Sequence, residues 1–361
     1  MKWEIAKLGK IAIIRTGKLD SNAAVIGGRY PFFTCDPNTL SIDVWAYDTE
    51  AVLLAGNNAS GNYTAKYYKG KFNAYQRTYI IESANEEELN IRYLCYALNQ
   101  KLRLLKTMSS GSTTKFLTIR MLDNLDIPLL GINIQTQIVN ILSAYDDLIE
   151  NNQKQIKLLE EAAQRLYKEW FVDLHFPGHE NTKIVDGVPE GWRRGLLKEL
   201  ISVNYGKDHK KAPDDGNIPV YGSGGLMRKC NKSLFSGEAV LIPRKGSLNN
   251  IMYVDETFWT VDTMFYTTMK QPHTAVFVYF FVKAFDMYSM NIGAAVPSMT
   301  AKILDAMDVV IPDKETLEKF DKRAKVYFNK IKTLQGQNER LEMARDLLLP
   351  KLMYETRKGD F

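Results

Sequence analysis

A heptad pattern over residues 138–170 constrains the fold of this chain more than any other feature. Apolar residues recur there at alternating steps of four and three, without proline or glycine, which is typical of a coiled-coil helix. The pattern returns 182 residues later, so that Ile149 matches Ile331. The predicted seam positions are Ile138, Leu142, Tyr145, Ile149, Asn152, Ile156, Leu159, Ala163, Leu166 and Trp170 in the first segment, and Phe320, Ala324, Tyr327, Ile331, Leu334, Asn338, Leu341, Arg345, Leu348 and Leu352 in the second.

The two helical segments are part of a long internal repeat. Leu122-Asp123 matches Leu304-Asp305 at the same offset of 182, and the match runs from there into the helices without a gap. Upstream, Ala51-Val52-Leu53-Leu54 matches Ala239-Val240-Leu241-Ile242 at an offset of 188, so only loops differ in length. A repeat of this kind predicts the order globular block, helix, globular block, helix.

Each seam carries one asparagine, and the two positions do not correspond in the repeat. Asn152 aligns with Leu334, and Asn338 aligns with Ile156. In a parallel pair each amide would face an apolar residue, whereas in an antiparallel pair the two amides share a layer. Because a buried amide without a partner costs ~1–3 kcal/mol, antiparallel packing is predicted. The alternative is that one asparagine lies at the edge of the seam and faces water.

The composition fits a folded protein of a reducing compartment. With 361 residues, 45% of them hydrophobic and 25% charged, the chain suits two globular domains and connecting helices. It has neither a run of apolar residues that spans a bilayer nor a signal-peptide pattern, so a cytoplasmic protein without a membrane partner is expected. Cys35, Cys95 and Cys230 are too scattered for a zinc site. A net charge of +5 permits nucleic-acid binding only through a local basic surface.

Motifs of known catalytic chemistry are missing from the sequence. The Gly-Lys pairs lack the rest of a phosphate-binding loop, and Gly222-Ser223-Gly224-Gly225 does not complete a dinucleotide fingerprint. No Asn/Asp-Pro-Pro-Tyr/Phe tetrapeptide and no Glu-x-Lys triplet occurs. His175 and His179 are separated by Pro177, which makes a shared helical face for a metal improbable. We therefore expect a non-catalytic chain with no metal or cofactor of its own.

Both globular blocks contain polar loops suited to DNA. Backbone N–H groups and short hydroxyls can bind phosphate, lysine and arginine add affinity that is independent of sequence, and asparagine or arginine can read base edges. Taken singly, each such residue is more often a solvated loop residue, and the signal is the duplicated placement of the loops. The candidate DNA-binding residues are Asn57, Asn58, Ser60, Tyr63, Lys66, Lys69, Arg77, Ser110, Thr113 and Lys115 in the first block, and Ser223, Arg228, Lys229, Lys232, Arg244, Lys245, Asn249, Asn250 and Ser298 in the second.

Taken together, these segments resemble the specificity subunit of type I restriction–modification systems. Each block closes with Gly-x(6)-Thr-x(3)-Leu-Asp, an apolar strand and a long helix. The first block departs from the pattern, since it has Ala55-Gly56-Asn57 where the second has Pro243-Arg244-Lys245-Gly246. The strongest pieces of the resemblance are Ile127-Pro128-Leu129, Gln137-Ile138, Leu148-Ile149-Glu150-Asn151-Asn152 and Val240-Leu241-Ile242-Pro243-Arg244-Lys245-Gly246.

The resemblance implies an α+β fold with two repeated α/β target recognition domains and two long helices, packed as an antiparallel coiled coil with pseudo-two-fold symmetry. The implied spans are target recognition domain 1 at 1–130, a spacer helix at 131–175, target recognition domain 2 at 176–312, and a second spacer helix with the C-terminal tail at 313–361. Each domain would read one half of an asymmetric bipartite site in double-stranded DNA, and lengthening the spacer by one heptad should lengthen the gap between the halves.

The resemblance also implies partners. Two methyltransferase subunits would dock on the helices, and restriction subunits would complete the complex. S-adenosylmethionine, ATP and Mg would be used by those partners and not by this chain. The alternative is a protein-binding scaffold with two globular modules on a coiled-coil stalk, and a stand-alone nuclease or methyltransferase would need a catalytic constellation that the sequence lacks.

Overall fold

The computed structural model describes residues 4–58, 63, 65–108, 115–290 and 298–355. The chain divides into unit 1, Met1–Asn151 with Gln337–Phe361, and unit 2, Asn152–Gly336. The division falls within both predicted spacer helices, so each unit includes about half of each helix. Among the described residues, every helix is too short or too polar to cross a membrane.

The first part of the chain, through the first long helix, alternates strands with short helices. The helices are α1 (Leu8–Ile11), α2 (Ile91–Met108), α3 (Ile119–Asp123) and α4 (Ile132–Tyr167), with a 3-10 turn at Ser21–Ala23 and a π-helical end of α4 at Lys168–Val172. The strands are β1 (Glu4–Lys7), β2 (Ala12–Thr16), β3 (Tyr30–Phe33), β4 (Leu40–Ile42), β5 (Tyr47–Ala55), β6 (Asn57–Asn58), β7 (Ala65–Ala74), β8 (Thr78–Ser83), β9 (Lys115–Phe116) and β10 (Asp126–Leu129).

The second part repeats this order. Its helices are α5 (Ala275–Lys283), α6 (Ala301–Asp305) and α7 (Lys314–Pro350), with 3-10 turns at His179–Asn181, Leu197–Glu199 and His209–Lys211 and a π-helical end of α7 at Lys351–Glu355. Its strands are β11 (Ile184–Val185), β12 (Val188–Pro189), β13 (Arg193–Leu196), β14 (Ile201–Tyr205), β15 (Ile218–Gly222), β16 (Gly225–Cys230), β17 (Phe235–Pro243), β18 (Met252–Thr260), β19 (Met264–Met269) and β20 (Asp308–Ile311).

The same six-stranded sheet occurs in both units. Its strand order is β2-β8-β5-β7-β3-β4 in unit 1 and β14-β19-β17-β18-β15-β16 in unit 2. All neighbours are antiparallel except β3 with β7 and β15 with β18, which are parallel in each case. A separate two-stranded ladder also repeats, β1 with β10 and β13 with β20. The internal repeat in the sequence is therefore a repeat of topology.

The central strand of each sheet is buried on both faces, which explains its continuous apolar run. In β5, Val52 and Leu54 pack towards α2. Ala51 and Leu53 belong to a separate hydrophobic core that is formed by side chains of the strands themselves. In β17 the alternating residues are divided in the same way between two cores. The apolar tetrapeptides at 51–54 and 239–242 therefore lie at the same place in the two sheets.

The long helices pack antiparallel within each unit. In unit 1 the start of α4 lies against the end of α7, where Leu142 and Leu349 share a core and Asp146 Oδ1 lies 2.6 Å from Arg345 Nη1. In unit 2 the end of α4 lies against the start of α7, and the rings of Trp170 and Phe320 are 5.9 Å apart. The predicted α+β fold with two repeated sheets and paired antiparallel helices is confirmed.

The seam positions are shielded from solvent along both helices. Arg345, the one charged residue on the predicted seam, also donates to Asp346, which keeps its guanidinium paired. The buried positions include Ile138, Leu142, Ile149, Asn152, Ile331, Leu334 and Asn338, and the half-buried positions include Tyr145, Ile156, Leu159, Leu166, Tyr327, Leu341 and Leu348.

The sequence predicts helices over 86–108 and 271–290, and both helices are shorter in the structure. The helix expected over 86–108 begins at Ile91, because Asn90 Oδ1 caps it by accepting from Tyr93 N at 3.1 Å. The helix expected over 271–290 is α5, which is preceded by His273 in a left-handed conformation. It ends before Asp286, where the side chain of Asn249 binds the following turn.

Candidate nucleic-acid interface

Three predicted segments meet beside the central strand of unit 1. Gly56 N donates to Arg77 O at 2.8 Å, and Leu117 N donates to Gly56 O at 2.9 Å. Asn57 and Asn58 of β6 pair with Phe116 and Lys115 of β9. The fold therefore brings together the backbone of Asn57, Asn58, Arg77 and Lys115, with the side chain of Arg77 exposed.

Two other candidates in unit 1, Lys66 and Lys69, have partners within the protein. Lys66 Nζ lies 3.2 Å from Thr39 Oγ1, and burial lowers the pKa of this lysine, an effect that Asp36 opposes. Lys69 is exposed but forms an ion pair of 2.9 Å with Glu50. Tyr63 is half-buried, and burial raises its pKa. The remaining candidates, Ser60, Ser110 and Thr113, lie outside the described residues.

Arg244 occupies in unit 2 the backbone position of Gly56. Its N–H donates to Thr263 O at 2.8 Å, and its carbonyl accepts from Met299 N at 2.9 Å, which is the pattern of Gly56. The Arg244 guanidinium lies over the Tyr205 ring, 4.7 Å from its centroid, and donates to Asp262 O at 2.9 Å. A guanidinium held against an aromatic ring is oriented before any ligand binds.

The amides of Asn249 and Asn250 brace the loop that follows Arg244. Asn249 Nδ2 donates to Asp286 Oδ1 at 2.9 Å, and Asn250 Nδ2 donates to Ser223 O at 2.9 Å. Ser223 at the β15–β16 turn is half-buried, as is Ser298. These contacts hold the loop and the β15–β16 hairpin together.

Arg228 has a structural role in unit 2. Its guanidinium forms an ion pair with Asp214 and donates to the carbonyls of His209 and Ala212. The side chain is only 21% exposed. Arg228 therefore holds the segment around 209–214 against β16.

The segment around 209–214 and the residues just before it carry lysines that are not among the candidate DNA-binding residues predicted from the sequence. Lys232 Nζ also contacts this segment, at 3.4 Å from Lys211 O. The signal was present in the sequence as the charge run over 207–211, in which three of five residues are lysine. The exposed lysines of this segment, together with those on and just after β16, are called the basic patch. They are Lys207, Lys210, Lys211, Lys229 and Lys232.

The basic patch can neutralise phosphates, and the braced loops beside it can approach base edges. Lys245, next to Arg244, is exposed as well. Among the described residues, no group of three or more histidine, cysteine, aspartate or glutamate side chains could hold a metal ion.

The chain is similar in sequence to a known protein family and to several of its members. The family model described as "Type I restriction modification DNA specificity domain" matches residues 1–161 and 189–343. The type I restriction enzyme EcoDI specificity subunit of Escherichia coli is 32% identical over 213 residues, which are 53% of this chain and 47% of that protein. The chain therefore matches about half the length of that relative.

Two further relatives cover more of the chain. The MjaIX specificity subunit of Methanocaldococcus jannaschii is 26% identical over 305 residues, 73% of this chain and 68% of that protein. The crystal structure of a type I restriction–modification S subunit from M. genitalium has the same fold, with a TM-score of 0.59 at 18% identity, over 99% of this chain and 97% of that chain. The resemblance inferred from the sequence is confirmed: this chain belongs to the family of type I restriction–modification DNA specificity proteins.

Proposed function

We propose that the chain is the non-catalytic DNA-specificity subunit of a type I restriction–modification complex. Unit 1 and unit 2 each read one half of a bipartite site in double-stranded DNA. Because their loops differ in sequence, the two halves differ and the site is asymmetric. The duplicated sheet with the same strand order in both units is the observation that carries this proposal.

The long helices have two further roles in the proposal. Both α4 and α7 extend through unit 1 and unit 2, so the length of these helices can set the gap between the half-sites. Their outward faces dock two methyltransferase subunits, and restriction subunits join the complex in the cytoplasm. S-adenosylmethionine, ATP and Mg act in those partners.

The basic patch gives the proposal a direct test by salt-dependent binding. The chain with its methyltransferase partner should bind a duplex selected from a random library, and its affinity should fall steeply with salt. Each lost phosphate contact lowers the slope of log K against log salt by about 0.9. Lys229→Gln with Lys232→Gln should therefore lower the slope by up to about 2 and weaken binding to all sequences alike.

The matched control changes two exposed lysines of unit 2 that lie away from the basic patch. Lys183→Gln with Lys198→Gln removes the same charge and should leave the salt slope unchanged. Equal slopes for the two double variants would show that the patch does not contact phosphate. Failure of the wild-type complex to select any duplex would refute the proposed function itself.

A further inference from the structure

The edge strand β16 exposes two consecutive apolar side chains. Leu226 is 55% exposed and Met227 is 54% exposed. In a regular strand neighbouring side chains point to opposite faces, so one of the two would be covered. The register of β15 with β16 shifts between Val220 and Tyr221, whose partners are Arg228 and Leu226. Met227 is thus the extra residue of a β-bulge, which re-aims a side chain.

The hairpin is built around this bulge. A Cβ on Gly222 would lie 2.4 Å from the sulfur of Met227, so the methionine side chain lies directly over this glycine. The turn is fixed by Asn250, which donates to Ser223 O, and a Cβ on Gly246 would lie 2.6 Å from Ser223 Oγ. The two apolar side chains are therefore presented by a braced turn.

The surroundings of the bulge favour DNA over a protein partner. Lys229 follows on the same strand, and Arg228 ties the strand to the segment that carries Lys210 and Lys211. Apolar side chains bordered by several exposed ammonium groups match a surface that combines phosphates with methyl groups. The major groove offers this combination, since each thymine presents a C5-methyl there and the groove admits a two-stranded β-ribbon.

We propose that Leu226 and Met227 are specificity-determining residues that contact thymine C5-methyl groups in the half-site of unit 2. This inference rests on the proposed function and adds the chemical group that is read. In the corresponding hairpin of unit 1, β3 with β4, the apolar residues of the edge strand are not exposed, since Leu40 is half-buried and Ile42 is buried. The inference therefore concerns the half-site of unit 2.

Deoxyuridine scanning tests the inference at the level of one methyl group. The duplex selected by the wild-type complex is resynthesised with each thymine replaced in turn by deoxyuridine, which pairs identically but lacks the methyl. At one or two thymines of one half-site, affinity should fall about three- to fivefold. This is the fold-change that corresponds to the transfer free energy of one buried methyl group. In Leu226→Ala with Met227→Ala this penalty should disappear at those thymines.

The chain offers a matched control for this variant. Ile184 and Val185 are also consecutive apolar residues in unit 2, 53% and 64% exposed, and they lie on β11 away from the hairpin. Ile184→Ala with Val185→Ala should keep the wild-type deoxyuridine profile. Specific binding that is insensitive to deoxyuridine, a half-site without thymine, or a profile unchanged in the hairpin variant would overturn the inference while leaving the proposed function standing.

Discussion

The two units share a backbone plan but carry different residues at several matching positions. At the end of the central strand, unit 1 has Gly56 and unit 2 has Arg244, with the same two backbone hydrogen bonds. In unit 1 the ring of Tyr79 fills the space, since a Cβ on Gly56 would lie 2.7 Å from it. In unit 2 the aligned residue is Phe265, and the Arg244 guanidinium lies over it, 5.1 Å from its centroid. Unit 2 therefore carries a guanidinium at a position where unit 1 has no side chain, with the same backbone hydrogen bonds.

The starts of the two long helices show the same contrast. Gly131 precedes α4, and the first turn is secured by Gln135, which is fully buried. Gln135 Nε2 donates to Glu88 O and Leu130 O, both at 2.7 Å, and its Oε1 accepts from Asn90 N. The matching positions in α7 are Asp313, which caps the helix, and the buried apolar Leu317. The two units therefore share their apolar geometry, while different residues satisfy the polar groups at the starts of the two long helices.

Exchanging the residues at the matching positions should have the largest effect. Gln135→Leu removes three hydrogen bonds and takes this partner from the carbonyls of Glu88 and Leu130 and from the N–H of Asn90, so unit 1 should lose about 2–4 kcal/mol. Leu317→Gln buries an amide among apolar side chains and should destabilise unit 2 comparably. Hydrogen exchange of peptides from α2 and α4 reports the loss in unit 1 separately from unit 2.

The control for this exchange is Gln137→Leu on the same helix. Gln137 is exposed, and its replacement should change protection little. If Gln135→Leu left the exchange of α2 and α4 unchanged, the buried amide would not be what holds the start of α4.

A smaller loss is expected from Gly56→Ala. The added methyl would lie 2.7 Å from Arg77 O, a backbone atom, and 2.7 Å from the Tyr79 ring. The overpacking should cost unit 1 about 1–3 kcal/mol, measured as faster hydrogen exchange in β5 and β8. Gly224→Ala, where the added methyl meets open space, should remain within about 0.5 kcal/mol of wild type. Equal effects of the two substitutions would argue against a backbone position that only glycine can fill.

The contrast between apolar and polar positions also decides what the sequence could predict. The heptads of α4 and α7, the repeat, and the buried tetrapeptides at 51–54 and 239–242 are periodic and local, and they were readable. They predicted the order of globular blocks and helices, and the resemblance to a known family implied the fold class. The start of α2 and the end of α5 could not be predicted, because they depend on the side chains of Asn90 and Asn249.

The candidate site was less predictable for the same reason. Residue type alone made Arg228, Asn249 and Asn250 candidates for DNA contact. Their side chains bind Asp214, Asp286 and the carbonyl of Ser223, partners 14 to 37 residues away in the chain. The lysines over 207–211 were visible as a charge run, but their proximity to β16 depends on the contacts of Arg228. The bulge at Met227 was unpredictable, since it appears only in the strand register.

Substitution of Asp313 should have the smallest effect on stability, and this effect should depend on pH. The matching residue of unit 1, Gly131, has no side chain to titrate. Thr316 N and Trp192 Nε1 donate to the carboxylate of Asp313 at 2.9 and 3.0 Å. Burial raises the pKa of Asp313, but these hydrogen bonds outweigh burial, so that the pKa lies below its ordinary value. A lowered folded pKa means that this stabilisation is present above the unfolded pKa of about 3.9 and is lost as pH falls through the folded value. Asp313→Ala should cost unit 2 about 1 kcal/mol at neutral pH and less at low pH, where the carboxyl is protonated and caps more weakly. Asp313→Asn keeps a good cap without the titrating charge, so hydrogen exchange of α7 peptides should lose its acid dependence while neutral-pH protection is largely kept. An acid dependence that persisted in Asp313→Asn would assign the effect to another carboxylate.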